Sequence, residues 1–526
     1  AHRRFGEGLL AHLGGGFTVV VLDTGRRAGF AAIDRVGIGR LCYAAPRPGT
    51  IVFGTSADAV ARHPAVQATL SDQGIFDFLS FFAVPCPTTI YLEQRKLRPA
   101  QVIRFGEADP APRFYWQMPY DETRAEPADA IAAELKVVLR GAVGRACRGT
   151  DPSRLGAFLS GGLDSSTVAG LLAGATHGRA RTFTVAFAER DYDESGYARV
   201  AARHFATDHH EHVLTPADAV TLLPRLAEAY DEPFANTSAI PAFYCAKLAK
   251  ESGVDVMLAG DGGDELFAGN SRYLDMVRMQ RYHDLPAWLR RGVIEPVVFG
   301  LPLGDRLGIV GKVRRRVRRR AMPMPERMHF AVLDREARLD RILAPGFLAA
   351  VDARQPIAIM REVYERTRGT DMVQRMMHHD LQLTLADNDL RKVGRMCELA
   401  GVRVRYPMLD DDVLDFSVRV TPRLLMADGR LRGFYKDAMR GFLPEEILAK
   451  RKHGFGMPFG LWIRTDPAYR AFCLDGFNDF ARRGILAPRF VEAVMASARG
   501  NADRHRVLGV AIDVALLESW LRHRTL

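Results

Sequence analysis

The chain has 526 residues, 48% of them hydrophobic and 26% charged, with a net charge of +11. That length exceeds what one hydrophobic core serves, so two or more domains are expected. The composition is that of a globular protein, and no apolar run reaches the roughly 18 residues of a membrane span.

Six cysteines (Cys42, Cys86, Cys147, Cys245, Cys397 and Cys473) are scattered, with no CxxC pair and no His/Cys metal spacing. They point to free thiols in a reducing cytoplasm rather than a disulfide framework or a zinc site. No signal-peptide pattern precedes the first domain-like segment, and the expected location is cytoplasmic.

In chain order, residues 17–22, 29–33, 51–53, 102–105 and 113–116 read as short strands, with a helix near 72–82. The polar, Pro-bounded stretch MPYDETRAEP then breaks the pattern. It divides the chain into 1–120 and 121–526. Residues 127–147 have helical periodicity. Four apolar runs follow, GAFLS, TFTVAF, HHEHVL and VDVMLAG, alternating with helical stretches to about 275. That alternation predicts a parallel α/β sheet. The remainder reads as mostly helical. It includes GKVRRRVRRR, seven basic residues from Lys312 to Arg320. No aromatics interleave that run, so it reads as a solvated helix face or loop rather than a nucleic-acid or acidic-membrane patch.

Residues 158–173 read FLSGGLDSSTVAGLLA. A strand, a Gly/Ser turn and a helix in that order present N–H groups and a helix N-terminus to an anion. No GK[ST] follows, so this is not a Walker A loop. An aspartate in a phosphate cradle calls for a cation, which makes Asp164 a candidate Mg²⁺ ligand. A second acidic, Gly-rich loop, GDGGDE at 260–265, follows the run VDVMLA. Clustered carboxylates repel unless a metal or proton neutralises them, so Asp264 is a second candidate ligand.

SGGLDSS resembles the pyrophosphate loop of the ATP-pyrophosphatases, and its surroundings resemble the synthetase domain of the asparagine synthetase B family. FAERDYDESGYARVAARHFATDHHEH, DEPFANTSAIPAFYCAKLAK, LAGDGGDELFAGNSRY, VRYPMLDDDVLDF and KRKHGFGMPFGLW resemble further family segments, in order. The resemblance implies an α/β protein with two parts. The first is an incomplete N-terminal-nucleophile (αββα) glutaminase-like domain. The second is a parallel-sheet, adenine-nucleotide α-hydrolase-like synthetase domain with a helical C-terminal part. It implies a ligase that adenylates a carboxylate, most simply aspartate, and transfers ammonia to give an amide, AMP and pyrophosphate. A related amide-forming enzyme acting on a peptide, sugar or secondary-metabolite carboxylate is the alternative.

The same resemblance assigns ATP and Mg²⁺ as cofactors. It places Ser160, Gly161, Gly162, Ser165, Ser166 and Gly260 at the phosphates, Phe158 and Val185 at the adenine, and Asp164 and Asp264 at the metal. Asp261 and Lys452 become the catalytic residues, the first as a base or orienting group, the second neutralising pyrophosphate. Small-molecule substrates are expected as partners, with no membrane or nucleic acid, and a homodimer is compatible.

Two departures stand out. The segment from GEGLLAHLGGG resembles the second half of the glutaminase domain, yet the family's nucleophile is a cysteine at the extreme N-terminus. This chain starts at Ala1 without an initiator Met, and Cys42 falls inside a strand-like run. Either the sequence is a fragment of a longer chain, the reading the absent Met favours, or the protein cannot hydrolyse glutamine and uses free ammonia or another amine. The half-domain as it stands is expected to lack glutaminase activity and to leave one sheet face uncovered. Arg403 stands where the family commonly carries Glu, in a stretch read as a helix on the acceptor side. That reading raises an acceptor other than free aspartate.

Overall fold

The computed structural model describes residues 2–106, 111–120, 126–176, 180–300, 308–329, 339–451, 456–499 and 505–524. The first seven strands form two antiparallel sheets. One has the order β1 (Thr18–Asp23), β2 (Ala28–Ile33), β6 (Gln101–Phe105), β7 (Arg113–Phe114). The other has the order β4 (Thr50–Gly54), β3 (Cys42–Arg47), β5 (Gln94–Lys96). Their facing sides share a core of Ala31, Ile33, Tyr43, Leu97, Ile103 and Phe105, with Phe53 stacked on Phe105 at 5.3 Å. The short helix Gly6–His12 covers the opposite face of the first sheet through Leu10 against Phe30, Ala32 and Val102.

The expected bare face is therefore corrected over most of the first sheet, because the second sheet covers it. It survives only at the edge strand. Val20 pairs with Ala31 and so shares its face, yet Val20 and Leu22 are 36% and 62% exposed.

The second part is built on a five-stranded parallel sheet, ordered β10 (Asp208–Leu214), β9 (Arg181–Phe187), β8 (Leu155–Phe158), β11 (Val256–Leu258), β12 (Arg403–Arg405). The α/β class is thus as expected from the alternating runs. β8 is central and nearly fully buried, as a strand covered on both faces must be. Helices Ala128–Cys147, Leu163–Ala175 and Ser195–His204 pack with it in one core.

A second core joins the two parts. Cys42, Phe76 and Phe78 from the first pack with Leu222, Tyr230, Trp462 and Trp520 from the second. β5 and β12 carry no strand signal in the sequence. β5 reads QRK and β12 reads RVR. Neither has a strand-like apolar pattern, and only their pairing partners make them strands.

Candidate active site

The strand order places a topological switch between β8 and β11, where the chain leaves in opposite directions and a crevice opens at the strand ends. Both Gly-rich loops sit there. One follows β8 and starts the helix Leu163–Ala175, the other follows β11 and starts the short helix Gly263–Leu266. A cleft of about 1260 Å³ lies between them. Phe158, Ser160, Gly162, Asp164, Ser165, Val185, Gly260, Asp261 and Asp264 all line it.

The loops touch so closely that glycine is required. A Cβ at Gly263 would sit 2.0 Å from Asp164 Oδ1, and one at Gly260 would sit 2.8 Å from the Ser165 backbone nitrogen. Gly161 has φ of +66°, and its carbonyl accepts from Lys450 Nζ at 3.4 Å. The first loop is tied together by its own hydroxyls. The Ser160 and Ser165 Oγ atoms are 3.0 Å apart, Ser165 Oγ accepts the Ser160 N–H, and Ser160 Oγ accepts the Gly162 N–H.

One predicted residue falls elsewhere. Ser166 is fully buried as the fourth residue of the helix and does not line the cleft. Its assignment as a phosphate donor is corrected: the helical turn that presents Asp164 and Ser165 rotates Ser166 inward. Lys452 lies outside the described residues. Arg403 is also corrected. It is an exposed residue of edge strand β12, not part of a helix facing the cleft.

A buried cation that no sequence motif marks joins the two loops. Arg432 is buried and holds Asp164 with two bonds of 2.5 Å, while its Nη1 also lies 3.4 Å from Asp264 Oδ1. Its guanidinium lies over the Tyr435 ring at 4.1 Å, and that ring's hydroxyl donates to Thr167 Oγ1. Burial works against its charge, but Asp164 and Asp264 raise its pKa further above the ordinary arginine value. Arg432 holds φ of +55°, a left-handed backbone that a non-glycine residue keeps only where its surroundings demand it. Nothing in the local sequence marks it, since the partners lie 168 and 268 positions away.

Lys450 also reaches the loop, 3.1 Å from Glu194 and over the Tyr197 ring. Across the cleft, burial pushes the Asp261 carboxyl up to about 6, with Lys392 opposing and Asp389 adding to the shift. Lys392 is itself paired to Asp389 at 2.6 Å. Cys42 is buried in β3, its thiol pushed up to about 12 by burial, which leaves it inert at neutral pH.

A nucleotide-type crevice with two interlocked Gly/Asp loops defines an α/β enzyme of the anion-binding kind. Comparison with known proteins makes this specific. The family model described as asparagine synthase matches residues 134–522, and the one described as a glutamine amidotransferase domain matches residues 1–116. The chain belongs to the asparagine synthase family and is a ligase of the glutamine-hydrolysing asparagine synthetase type. It is 23% identical to asparagine synthetase [glutamine-hydrolyzing] 1 of Bacillus subtilis, over 88% of this chain and 71% of that protein. It is 27% identical to a putative asparagine synthetase of Mycobacterium tuberculosis, over 88% and 70%. A putative asparagine synthetase of Methanocaldococcus jannaschii is 35% identical over 39% of this chain and 40% of its own. Among the described residues, no helix is long and apolar enough to cross a membrane.

Proposed function

We propose that this chain adenylates the side-chain carboxylate of aspartate with ATP and transfers ammonia to the acyl carbon, giving asparagine, AMP and pyrophosphate. The observation that carries the reading is the paired loop geometry: two Gly/Asp loops converge on one cleft at the strand switch. The loop at 160–165 would hold the pyrophosphate through its N–H groups and hydroxyls, with Lys450 beside Gly161 adding positive charge. Phe158 and Val185 would flank the adenine. Asp164 and Asp264 fit Mg²⁺, which is bound through one or two carboxylates plus substrate phosphates, and Arg432 now engages both. When bound, that ion would neutralise charge on the departing pyrophosphate. Asp261, titrating near neutrality, would take the proton from the attacking amine. Lys452 is retained as the residue that neutralises pyrophosphate.

A second reading keeps this chemistry and changes the acceptor to a larger carboxylate, such as a peptide or sugar acid. The cleft of about 1260 Å³ exceeds the roughly 300–1,000 Å³ of a single-ligand site and has to hold both the nucleotide and the acceptor. Pyrophosphate release with Mg-ATP and ammonium, measured with and without aspartate, tests both. Aspartate-dependent release that yields asparagine supports the first. Bound ATP with no aspartate-dependent release overturns it in favour of the larger acceptor.

A further inference from the structure

The Arg-rich run forms the helix Gly308–Ala321. It packs through Val310, Arg314, Val317 and Ala321 and leaves Lys312, Arg315, Arg316, Arg318 and Arg320 exposed. Beside it lies a continuous helical segment, 287–300. Arg314 donates to the carbonyls of Val298 and Phe299 in that segment, and His283, in the helix before it, reaches the Arg320 carbonyl. The segment 287–300 buries no residue fully, and its exposed residues are apolar apart from Arg291. Trp288 is 70% exposed and Val297 59%, with Val293 and Phe299 also exposed. Among the described residues, six of the thirteen exposed large hydrophobic ones fall between Leu285 and Val313. That density marks an interaction surface rather than scattered exposure.

We propose that these two helical segments form a peripheral docking element for an anionic lipid bilayer. The charge is complementary: five exposed basic residues on one short helix can face a surface of phosphate headgroups. The apolar side chains choose between polyanions. A nucleic-acid backbone rewards arginine and lysine but gains nothing from Trp288, Val293, Val297 and Phe299. A bilayer interface rewards both, taking aliphatic and aromatic side chains below the headgroups while arginines stay among them. The helix Ser271–His283 links this surface to the cleft. Ser271, Leu274 and Arg278 of the helix Ser271–His283 line the cleft, and the same helix ends at His283 against the arginine helix. Docking would thus bring the cleft close to the lipid surface, where a membrane-borne acceptor carboxylate could reach it.

The test is sedimentation of the full chain with vesicles of phosphatidylcholine alone, or with about a third phosphatidylglycerol. The wild type should bind only the anionic vesicles, and less tightly as salt rises. Combined Lys312→Gln, Arg316→Gln and Arg318→Gln should weaken binding about a hundredfold, at roughly fivefold per charge. Trp288→Ser with Phe299→Ser should weaken it by about tenfold or more. A folded-state control uses brominated lipid, which should quench wild-type fluorescence but not that of Trp288→Phe. The proposal is overturned if the wild type ignores anionic vesicles, or if quenching is the same in Trp288→Phe. It is also overturned if an RNA or DNA duplex binds as tightly as vesicles with Trp288→Ser/Phe299→Ser unaffected.

Discussion

Asp261 and Arg432 carry opposite kinds of cost at the same cleft. Asp261 titrates near 6 because burial disfavours its charge. As a base it must be deprotonated, so the ammonia-dependent rate should fall as pH drops below about 6, and Asp261→Asn should lose about a hundredfold or more in kcat. The stability sign is the reverse. A carboxyl with a raised folded pKa favours the fold most when protonated, and that contribution is lost as pH rises through about 6. Asp261→Asn should match the wild type near pH 4 and exceed it above pH 6 by about 1–2 kcal/mol in thermal or denaturant melting. Equal melting at both pH values would show that Asp261 is not held in a raised state. Arg432→Met should do the opposite, leaving Asp164 and Asp264 without their guanidinium at a cost of about 3 kcal/mol. Mg²⁺ should recover more melting temperature in that variant than in the wild type, because the freed carboxylates then bind the cation.

At the scale of single elements, the two loops work as one interlocked unit. Gly263→Ala places a methyl group against Asp164, and the loops must separate to accept it. Displacement of about 1 Å at reacting groups costs about a hundredfold, so pyrophosphate release should fall by that order while the parallel sheet remains intact by circular dichroism. Unchanged activity would mean the loops are not required to touch. Both loops were legible in the sequence, because SGGLDSS and GDGGDE each combine glycine with aspartate after an apolar strand. What the sequence did not carry was their mutual contact. β8 and β11 are separated by about a hundred residues, and only the sheet order makes them neighbours. Ser166 was misplaced for a related reason: a motif lists adjacent residues, but a helix turns each one by about 100°.

Across the whole molecule, a buried charge cluster joins the two parts. Glu232 accepts from Lys96 at 2.8 Å, and pairs with Arg40 and Arg391 at 3.3 and 3.2 Å. Asp231 pairs with the same two arginines, and burial would raise its pKa, yet Arg40 and Arg391 hold it well below the usual carboxylate range. A depressed folded pKa contributes stability that is present above about pH 4 and lost as pH falls further. Glu232→Gln should cost about 3–5 kcal/mol, since Lys96 and Arg391 then lie buried with poorer pairing. Adding Lys96→Met should restore part of that loss in the same melting experiment. Additive losses would show that the pair is not coupled.

The sequence by itself determined the α/β class, the strand and helix runs around β8 and β11, and the two Gly/Asp loops. These rest on local periodicity and on residue types that specify a turn. Only the tertiary structure decided which charges meet. Arg432 against Asp164, Lys450 against Gly161 and Lys96 against Glu232 join residues 268, 289 and 136 positions apart. No local pattern encodes such pairs; they follow from the order in which strands and helices pack.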